Sequence, residues 1–208
     1  VQQDLFEDQG RLEPLDDGLV RLRGRVQGAR LREQIAHVVQ QAPWRHMTLP
    51  GGGRMAVAMS NCGSMGWVAD HKGYRYSSVD PASRKPWPPM PADWQALAQS
   101  AAAESGFGRF EPDACLINRY APGAGLGVHR DYDEADLGHP IVSVSIGASA
   151  VFLWGGLLRR DPLRRIALHD GDVLVWGRSA RLTYHGVMPL ARADPQALRF
   201  NLTFRRAT

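Results

Sequence analysis

A histidine and an aspartate stand two residues apart in His129-Arg-Asp131. Residues i and i+2 of a strand project from one face with Cα atoms about 6.6 Å apart, so a single metal ion can be gripped by both. A third ligand has to come from elsewhere, and His185, in Arg181-Leu-Thr-Tyr-His-Gly186, is the candidate on another predicted strand. Two histidines and one carboxylate leave three coordination positions open, the arrangement of non-haem Fe(II) oxygenases. A catalytic zinc could use the same three ligands and one water. His-x-Asp alone is a weak pattern. Its bland reading makes Arg130 and Asp131 surface residues and His185 a hydrogen-bonded core histidine. The other histidines, His37, His46, His71, His139 and His169, have no comparable partners in the sequence.

The last motif of the chain argues against zinc. Arg199-Phe-Asn-Leu-Thr-Phe-Arg205 alternates strictly, which puts Arg199, Asn201, Thr203 and Arg205 on one strand face and Phe200, Leu202 and Phe204 on the other. Two arginines on an inner face need an anion, because an unpaired buried guanidinium is costly. Their Cα atoms would lie about 20 Å apart, so a short dicarboxylate held between them satisfies both. 2-Oxoglutarate is such a dicarboxylate, and its 2-oxo acid end can take two of the three open positions on iron and leave the last to O2. Asn118 and Tyr120, in Cys115-Leu-Ile-Asn-Arg-Tyr120, share a strand face and could add hydrogen bonds. The bland reading of that pair is ordinary strand residues at a sheet surface.

These residues need a scaffold of strands. From residue 113 onward short alternating or apolar runs recur at 114–120, 126–131, 141–146, 150–154, 163–168, 172–176, 182–187 and 198–205, separated by turn signals such as Ala121-Pro-Gly123, Gly155-Gly156 and Asp170-Gly171. So many strands within about ninety residues predict a double-sheet jelly roll, since a parallel α/β sheet needs a helix in each crossover. The N-terminal part mixes a strand over 18–24 with a helix over 29–42, in which Leu31, Ile35, Val38 and Val39 keep helical spacing. Between Pro50 and Pro91 glycine, proline, serine and aromatic residues predict a long loop-rich cover interrupted by one strand, 55–60. An alanine-rich helix is predicted over 93–104. The fold class is therefore mostly β, of the α+β kind. One domain spans 1–208, with an N-terminal extension and cover to about 112 and a jelly-roll core from about 113.

Composition narrows the partners. The chain has 208 residues, 44% hydrophobic, and a formal net charge of +4, with a pI near 9.4 that comes mostly from arginine and favours a polyanionic partner. Two cysteines, Cys62 and Cys115, are too few for a disulfide scaffold and fit no zinc motif, which leaves buried thiols. No apolar run is long enough to cross a bilayer, and the start at Val1-Gln-Gln-Asp4 lacks the regions of a signal peptide. The expectation is a monomeric cytoplasmic protein with no membrane partner, and the start at Val1 predicts native residues ahead of it.

With these motifs in place the chain resembles the AlkB family of Fe(II)/2-oxoglutarate-dependent nucleic-acid dealkylating dioxygenases, over nearly its whole length. The likeness rests on Asn118-Arg-Tyr120 with Ala121-Pro-Gly123, His129-Arg-Asp131, His185 and Arg199 to Arg205, and further on Met59-Ser-Asn-Cys-Gly63 with Gly66-Trp67, Gly73-Tyr-Arg-Tyr76, Lys85-Pro-Trp-Pro88 and Val173-Leu-Val-Trp176. The resemblance implies Fe(II) on His129, Asp131 and His185, and 2-oxoglutarate held by Asn118, Tyr120, Arg199, Asn201 and Arg205. It implies a nucleotide-recognition lid in which Trp67 stacks on a flipped base opposite His129, Tyr74 and Tyr76 contact the substrate strand, and Asp133 and Arg159 line the lesion pocket. The implied reaction is oxidative demethylation of bases such as 1-methyladenine and 3-methylcytosine in single- or double-stranded DNA, with RNA as a further substrate, consuming O2 and 2-oxoglutarate and releasing succinate, CO2 and formaldehyde. The basic segments 72–75 and 159–165 would meet phosphates. Two departures stand out: the connection 188–197 is several residues shorter than the family pattern, and Gly51-Gly-Gly53 replaces a more varied loop. Two other classes compete with this reading. One is a 2-oxoglutarate dioxygenase acting on a protein or small metabolite, which would need no basic lid. The other is a non-catalytic nucleic-acid binding module, whose binding would depend on neither iron nor 2-oxoglutarate.

Overall fold

The computed structural model describes residues 11–208; the start at Val1 to Asp4 and the first residues of the N-terminal extension lie outside the described residues. The element order is β1 (Leu12–Asp16), β2 (Leu19–Leu22), α1 (Gly28–Gln41), β3 (Ala58–Gly63), β4 (Gly66–Asp70), β5 (Gly73–Ser77), α2 (Ala92–Glu104), β6 (Ala114–Tyr120), β7 (Leu126–His129), β8 (Ile141–Gly147), β9 (Ala150–Trp154), β10 (Arg164–Leu168), β11 (Val173–Trp176), β12 (His185–Val187) and β13 (Arg199–Arg205). The strands form a seven-stranded sheet in the order β1-β2-β11-β8-β13-β6-β3, a four-stranded sheet β10-β9-β12-β7, and the two-stranded β4-β5. All named pairings are antiparallel. This is the double-sheet, mostly-β architecture expected from the spacing of the runs.

Period-two alternation sorts the large sheet into two faces. Val142, Val144, Ile146, Val173, Val175, Leu202 and Phe204 pack with Leu31, Ile35 and Val38 of α1 and with Trp94, Ala98, Ala101 and Ala102 of α2. The helices thus seal the outer face, α1 through the i, i+4, i+7 stripe legible in its sequence. From the opposite face Leu116, Tyr120, Leu174 and Trp176 meet Phe152, Trp154, Ile166, Leu168 and Val187 of the small sheet. The core between the sheets is apolar where they close, and the polar faces of β6, β8 and β13 open into a cavity.

Several boundaries differ from the sequence pattern. The strand expected at 55–60 is β3, three residues later. The cover holds a hairpin, β4–β5, where loop was expected. β1 was not expected as a strand; it carries Pro14 and lies at the edge of the large sheet, where a missing N–H costs no ladder bond. The N-terminal strands β1, β2 and β3 all hydrogen-bond into the large sheet. Among the described residues no helix is long and apolar enough to cross a membrane.

Candidate metal centre and cosubstrate cavity

β7 and β12 are antiparallel neighbours, and their register sets His129 directly opposite His185, with ring centroids 4.5 Å apart. Gly186 makes this approach possible: a Cβ there would come within 2.9 Å of the Leu126 carbonyl oxygen and press on β7. The β7 strand ends at His129, short of the expected 131, so Asp131 extends from the following coil. Its carboxylate nevertheless lies on the histidine side, with Oδ1 3.6 Å from His129 Nε2 and Oδ2 3.6 Å from His185 Nε2. One ligand atom from each residue lies within 4.8 Å of the others.

The donor set fits a divalent metal in its protonation as well as its spacing. His129 Nδ1 lies 2.8 Å from the Gly127 carbonyl and His185 Nδ1 2.9 Å from the Thr183 carbonyl. A carbonyl can only accept, so each Nδ1 carries a proton and each Nε2 is the atom turned to the metal side. Although 36% of its side chain is exposed, the His129 imidazole is pushed down to about 4, by burial of its inner edge and then by His185. It is therefore neutral at physiological pH. Burial alone would raise the Asp131 carboxyl, but Arg205 and the two histidines overcome it and hold the group well below the usual carboxylate range. Phe152, Trp154 and Trp176 surround His185 at centroid distances of 5.6, 6.3 and 5.2 Å and keep water from its sides.

Arg205 donates from Nη2 to Asp131 Oδ2 at 2.6 Å, and its Nε lies 3.1 Å from Glu134 Oε1. Glu134 is buried, forms an ion pair with Arg181, whose Nη2 lies 2.9 Å from Oε2, and accepts the Tyr76 hydroxyl at 2.9 Å on Oε1. Arg181 further donates to the Asp131 and His139 carbonyls. Sequence reasoning missed Glu134 and Arg181 as parts of the site. Glu134 ends an acidic run that reads as solvated, and only the fold brings two guanidinium groups to it.

The residues expected to hold the cosubstrate fall into two groups. Arg199 is 1% exposed, donates from Nη2 to Ser145 Oγ at 3.0 Å and lies with its guanidinium 4.8 Å from the Tyr120 ring centre. Its Nε and Nη1 have no protein partner, nor has Asn118 Oδ1. A buried guanidinium with two idle donors facing a cavity calls for an anion, and a turn of the Asn118 amide presents two more donors. A carboxylate meets both demands. Asn201 and Arg205 are already engaged: Asn201 Nδ2 donates to Ser143 Oγ and the Val144 carbonyl, while its Oδ1 accepts from Thr203.

Trp67, in the hairpin, is positioned by Asn61, whose side chain bonds both the N–H and the C=O of Trp67 at 3.0 Å. Its indole N–H donates to Asp133 Oδ2 at 2.8 Å. One ring face stacks on Tyr74, with centroids 5.6 Å apart and planes 13° from parallel. The Tyr76 hydroxyl points inward to Glu134 rather than outward, and burial raises its pKa well above the ordinary phenol value. Arg159 reaches over the Tyr184 ring. Of the basic segments expected to face phosphate, Arg75 is paired with both oxygens of Asp70 and Arg164 with Asp16. Every candidate residue inferred from the sequence lines one cavity of about 660 Å³.

The family described as the 2OG-Fe(II) oxygenase superfamily matches residues 18–205. Alpha-ketoglutarate-dependent dioxygenase AlkB of Escherichia coli (strain K12) is 52% identical over 210 residues, which cover 98% of this chain and 97% of that protein. The chain belongs to the AlkB family. As an AlkB-family chain it is an Fe(II)-dependent dioxygenase with 2-oxoglutarate and O2 as cosubstrates. Nucleic acid dioxygenase ALKBH1 of Homo sapiens is 35% identical over 130 residues, 62% of this chain and 33% of that protein. The solved structure of OsALKBH1 is similar with a TM-score of 0.81 and 26% identity, over 94% of this chain and 100% of that one.

Proposed function

We propose that this AlkB-family enzyme repairs nucleic acid directly, by oxidative demethylation of bases such as 1-methyladenine and 3-methylcytosine in DNA, with RNA as a second polymer it can act on. His129, Asp131 and His185 hold the iron, with Asp131 oriented by Arg205. Arg199, helped by Asn118 and Tyr120, neutralises the 2-oxoglutarate carboxylate remote from iron, and Asn201 and Arg205 complete that wall. The observation that carries the reading is the fully buried Arg199 guanidinium, whose Nε and Nη1 lack protein partners, in the same cavity as the His129–His185 pair and the Trp67–Tyr74 stack. An anion site, a metal site and an aromatic platform together suit a cosubstrate and a flat base.

When bound, iron with O2 and 2-oxoglutarate supplies the oxidation: one oxygen atom enters succinate as CO2 leaves, and the other enters the alkyl carbon, whose N-hydroxymethyl product releases formaldehyde. The chain does the rest. Trp67 offers its remaining face to a base extruded from a duplex or already unpaired. Asp133, with Oδ2 on the Trp67 indole, keeps Oδ1 for an exocyclic amine. Arg159 borders the lesion pocket, Tyr74 meets the strand at the mouth, and Tyr76 fastens the hairpin to Glu134. The support for a nucleic-acid substrate is the name of the human relative and the basic character of the chain. All of these residues come from one chain, so a monomer suffices, and we place its work in the cytoplasm. The cover up to about residue 112 serves as the recognition lid over a catalytic core from about 113.

The test is to incubate iron-loaded protein and 2-oxoglutarate with a panel of methylated DNA and RNA oligonucleotides and weigh the products. Loss of one methylene mass per lesion together with formaldehyde release is expected. Succinate formation that no oligonucleotide stimulates would point to a protein or metabolite substrate instead.

A further inference from the structure

Next to the ligands His129, Asp131 and His185, at the end of β7, in the coil after it and at the start of β12, stand Arg130, Tyr132 and Tyr184. These residues are not scattered. The Arg130 guanidinium lies 5.4 Å from the Tyr132 ring centre and 5.5 Å from that of Tyr184. Arg159 adds a fourth layer, 6.0 Å from Tyr184. The four side chains form a ladder of alternating rings and guanidinium planes along the rim, and all of them line the mouth of the cavity. Tyr132 ends the ladder with 57% of its surface exposed, although Arg130 already lies against it.

Resting on the demethylase reading, we propose that this ladder is a second nucleobase subsite, which stacks the base of the nucleotide next to the target on Tyr132. Three observations converge. Flat aromatic and guanidinium surfaces are the groups on which unpaired bases stack, without sequence preference because every base has a π-face. The ladder is cationic, as a phosphodiester strand requires. It also adjoins the ligand-bearing segment, so a strand delivering one base inward passes its neighbour over the rim. A tyrosine and a guanidinium held in register at solvent have no packing role that would otherwise explain them, since neither is in the apolar core. The hairpin platform of Trp67 and Tyr74 would then take the target base and the ladder the adjoining one, so two consecutive bases are sorted to different sides of the opening.

The subsite is tested with single-stranded pentamers carrying a central 1-methyladenine, either intact or with an abasic residue on the 5′ or the 3′ side. In the unmodified enzyme, removing the base on one side should lower kcat/KM and oligonucleotide affinity about tenfold, the worth of one stacked base. Tyr132→Leu should produce that loss on the intact pentamer and no additional loss on the abasic one, the non-additivity of a shared contact. Tyr132→Trp should restore the intact value, and neither variant should change turnover of the methylated mononucleotide. Equal losses for Tyr132→Leu on intact and abasic pentamers, or indifference of the unmodified enzyme to both abasic substitutions, would overturn the proposal. If no pentamer is demethylated, the demethylase reading itself fails. Fluorescence anisotropy of the labelled pentamers still reads the subsite in that event, and the same non-additivity in Kd decides it.

Discussion

The cavity has two walls held in different ways. The floor is sheet: β13 is hydrogen-bonded to β8 on one side and β6 on the other along nearly its full length, and the two histidines face each other across a strand pair. Backbone register therefore sets the position of the inward side chains there, Asp131 in the coil after β7 excepted. The cover is a two-stranded hairpin, a unit that is marginal alone, fastened by side chains: Asn61 to Trp67, Trp67 to Asp133, Tyr76 to Glu134 and Arg45 to Asp80. The difference implies a division of labour in which the floor fixes the chemistry and the cover decides what reaches it.

The largest expected effect tests the floor. His129→Ala, Asp131→Ala and His185→Ala should each abolish demethylation while oligonucleotide binding survives, since three ligands are the minimum of this site. Iron content and succinate release measure the loss. A variant with full turnover would remove that residue from the metal set and blur the contrast between the walls. Next, Arg199→Ala should raise the 2-oxoglutarate requirement by about 1.5–3 kcal/mol, roughly ten- to hundredfold, through loss of a charge-assisted contact. Arg205→Ala should weaken both 2-oxoglutarate and iron, because that guanidinium also holds Asp131. Titrations of each ligand against the two variants separate these outcomes.

The cover should respond to acid in its own range. Burial raises the Asp80 carboxyl, but Arg45, the Ala82 N–H and the Ser83 hydroxyl together lower it to about 2. A folded-state value below the unfolded one of about 3.9 means that its contribution is complete above about pH 4 and disappears as pH falls towards 2, some 2 kcal/mol in all. Asp80→Asn should lose that amount at neutral pH and flatten the acid response of unfolding, read by denaturant titration. Oligonucleotide binding should suffer with it, whereas 2-oxoglutarate binding should not. An equal loss of both would show that the walls are coupled. The smallest effect concerns choice of lesion. 1-Methyladenine and 3-methylcytosine are cationic and keep an exocyclic amine, so Asp133 and the Trp67 face should favour them over neutral 1-methylguanine or 3-methylthymine by about 0.5–2 kcal/mol. Asp133→Ala should erode the preference more than it slows the neutral lesions, measured as ratios of kcat/KM. Discrimination left intact would assign the choice to another part of the pocket.

The floor was also the more legible wall. The alternation from Arg199 to Arg205 fixes two faces at once, and His129-x-Asp131 needs only strand geometry to become a bidentate grip. The extended reading to residue 131 still overshot, because Asp131 acts from coil. The cover was harder to read because β4 and β5 are five-residue runs bounded by glycine, too short for their period to stand out from a loop. β1 was hidden by Pro14, whose place at the sheet edge is a property of topology rather than of local pattern. Glu134, Arg181 and Gly186 could not be found by spacing. The first two become partners only when distant segments meet, and Gly186 shows its purpose only beside β7.

The strict alternation of β13 has a consequence for how this gene can change length. Inserting or deleting one codon within 199–205 would turn every residue on one side of the change to the opposite face, so that apolar side chains enter the cavity and polar ones meet the helices in one event. No gradual route through weakened intermediates exists for such a change. Met188 still donates to the Val151 carbonyl of β9, and Leu190 is bonded to Ala124 and Gly123, but residues 191–197 belong to no strand and are mostly exposed, so codons can be gained or lost there with the register of β13 intact. Length variation in this protein should therefore accumulate in residues 191–197 and stop abruptly at the first arginine of the last strand.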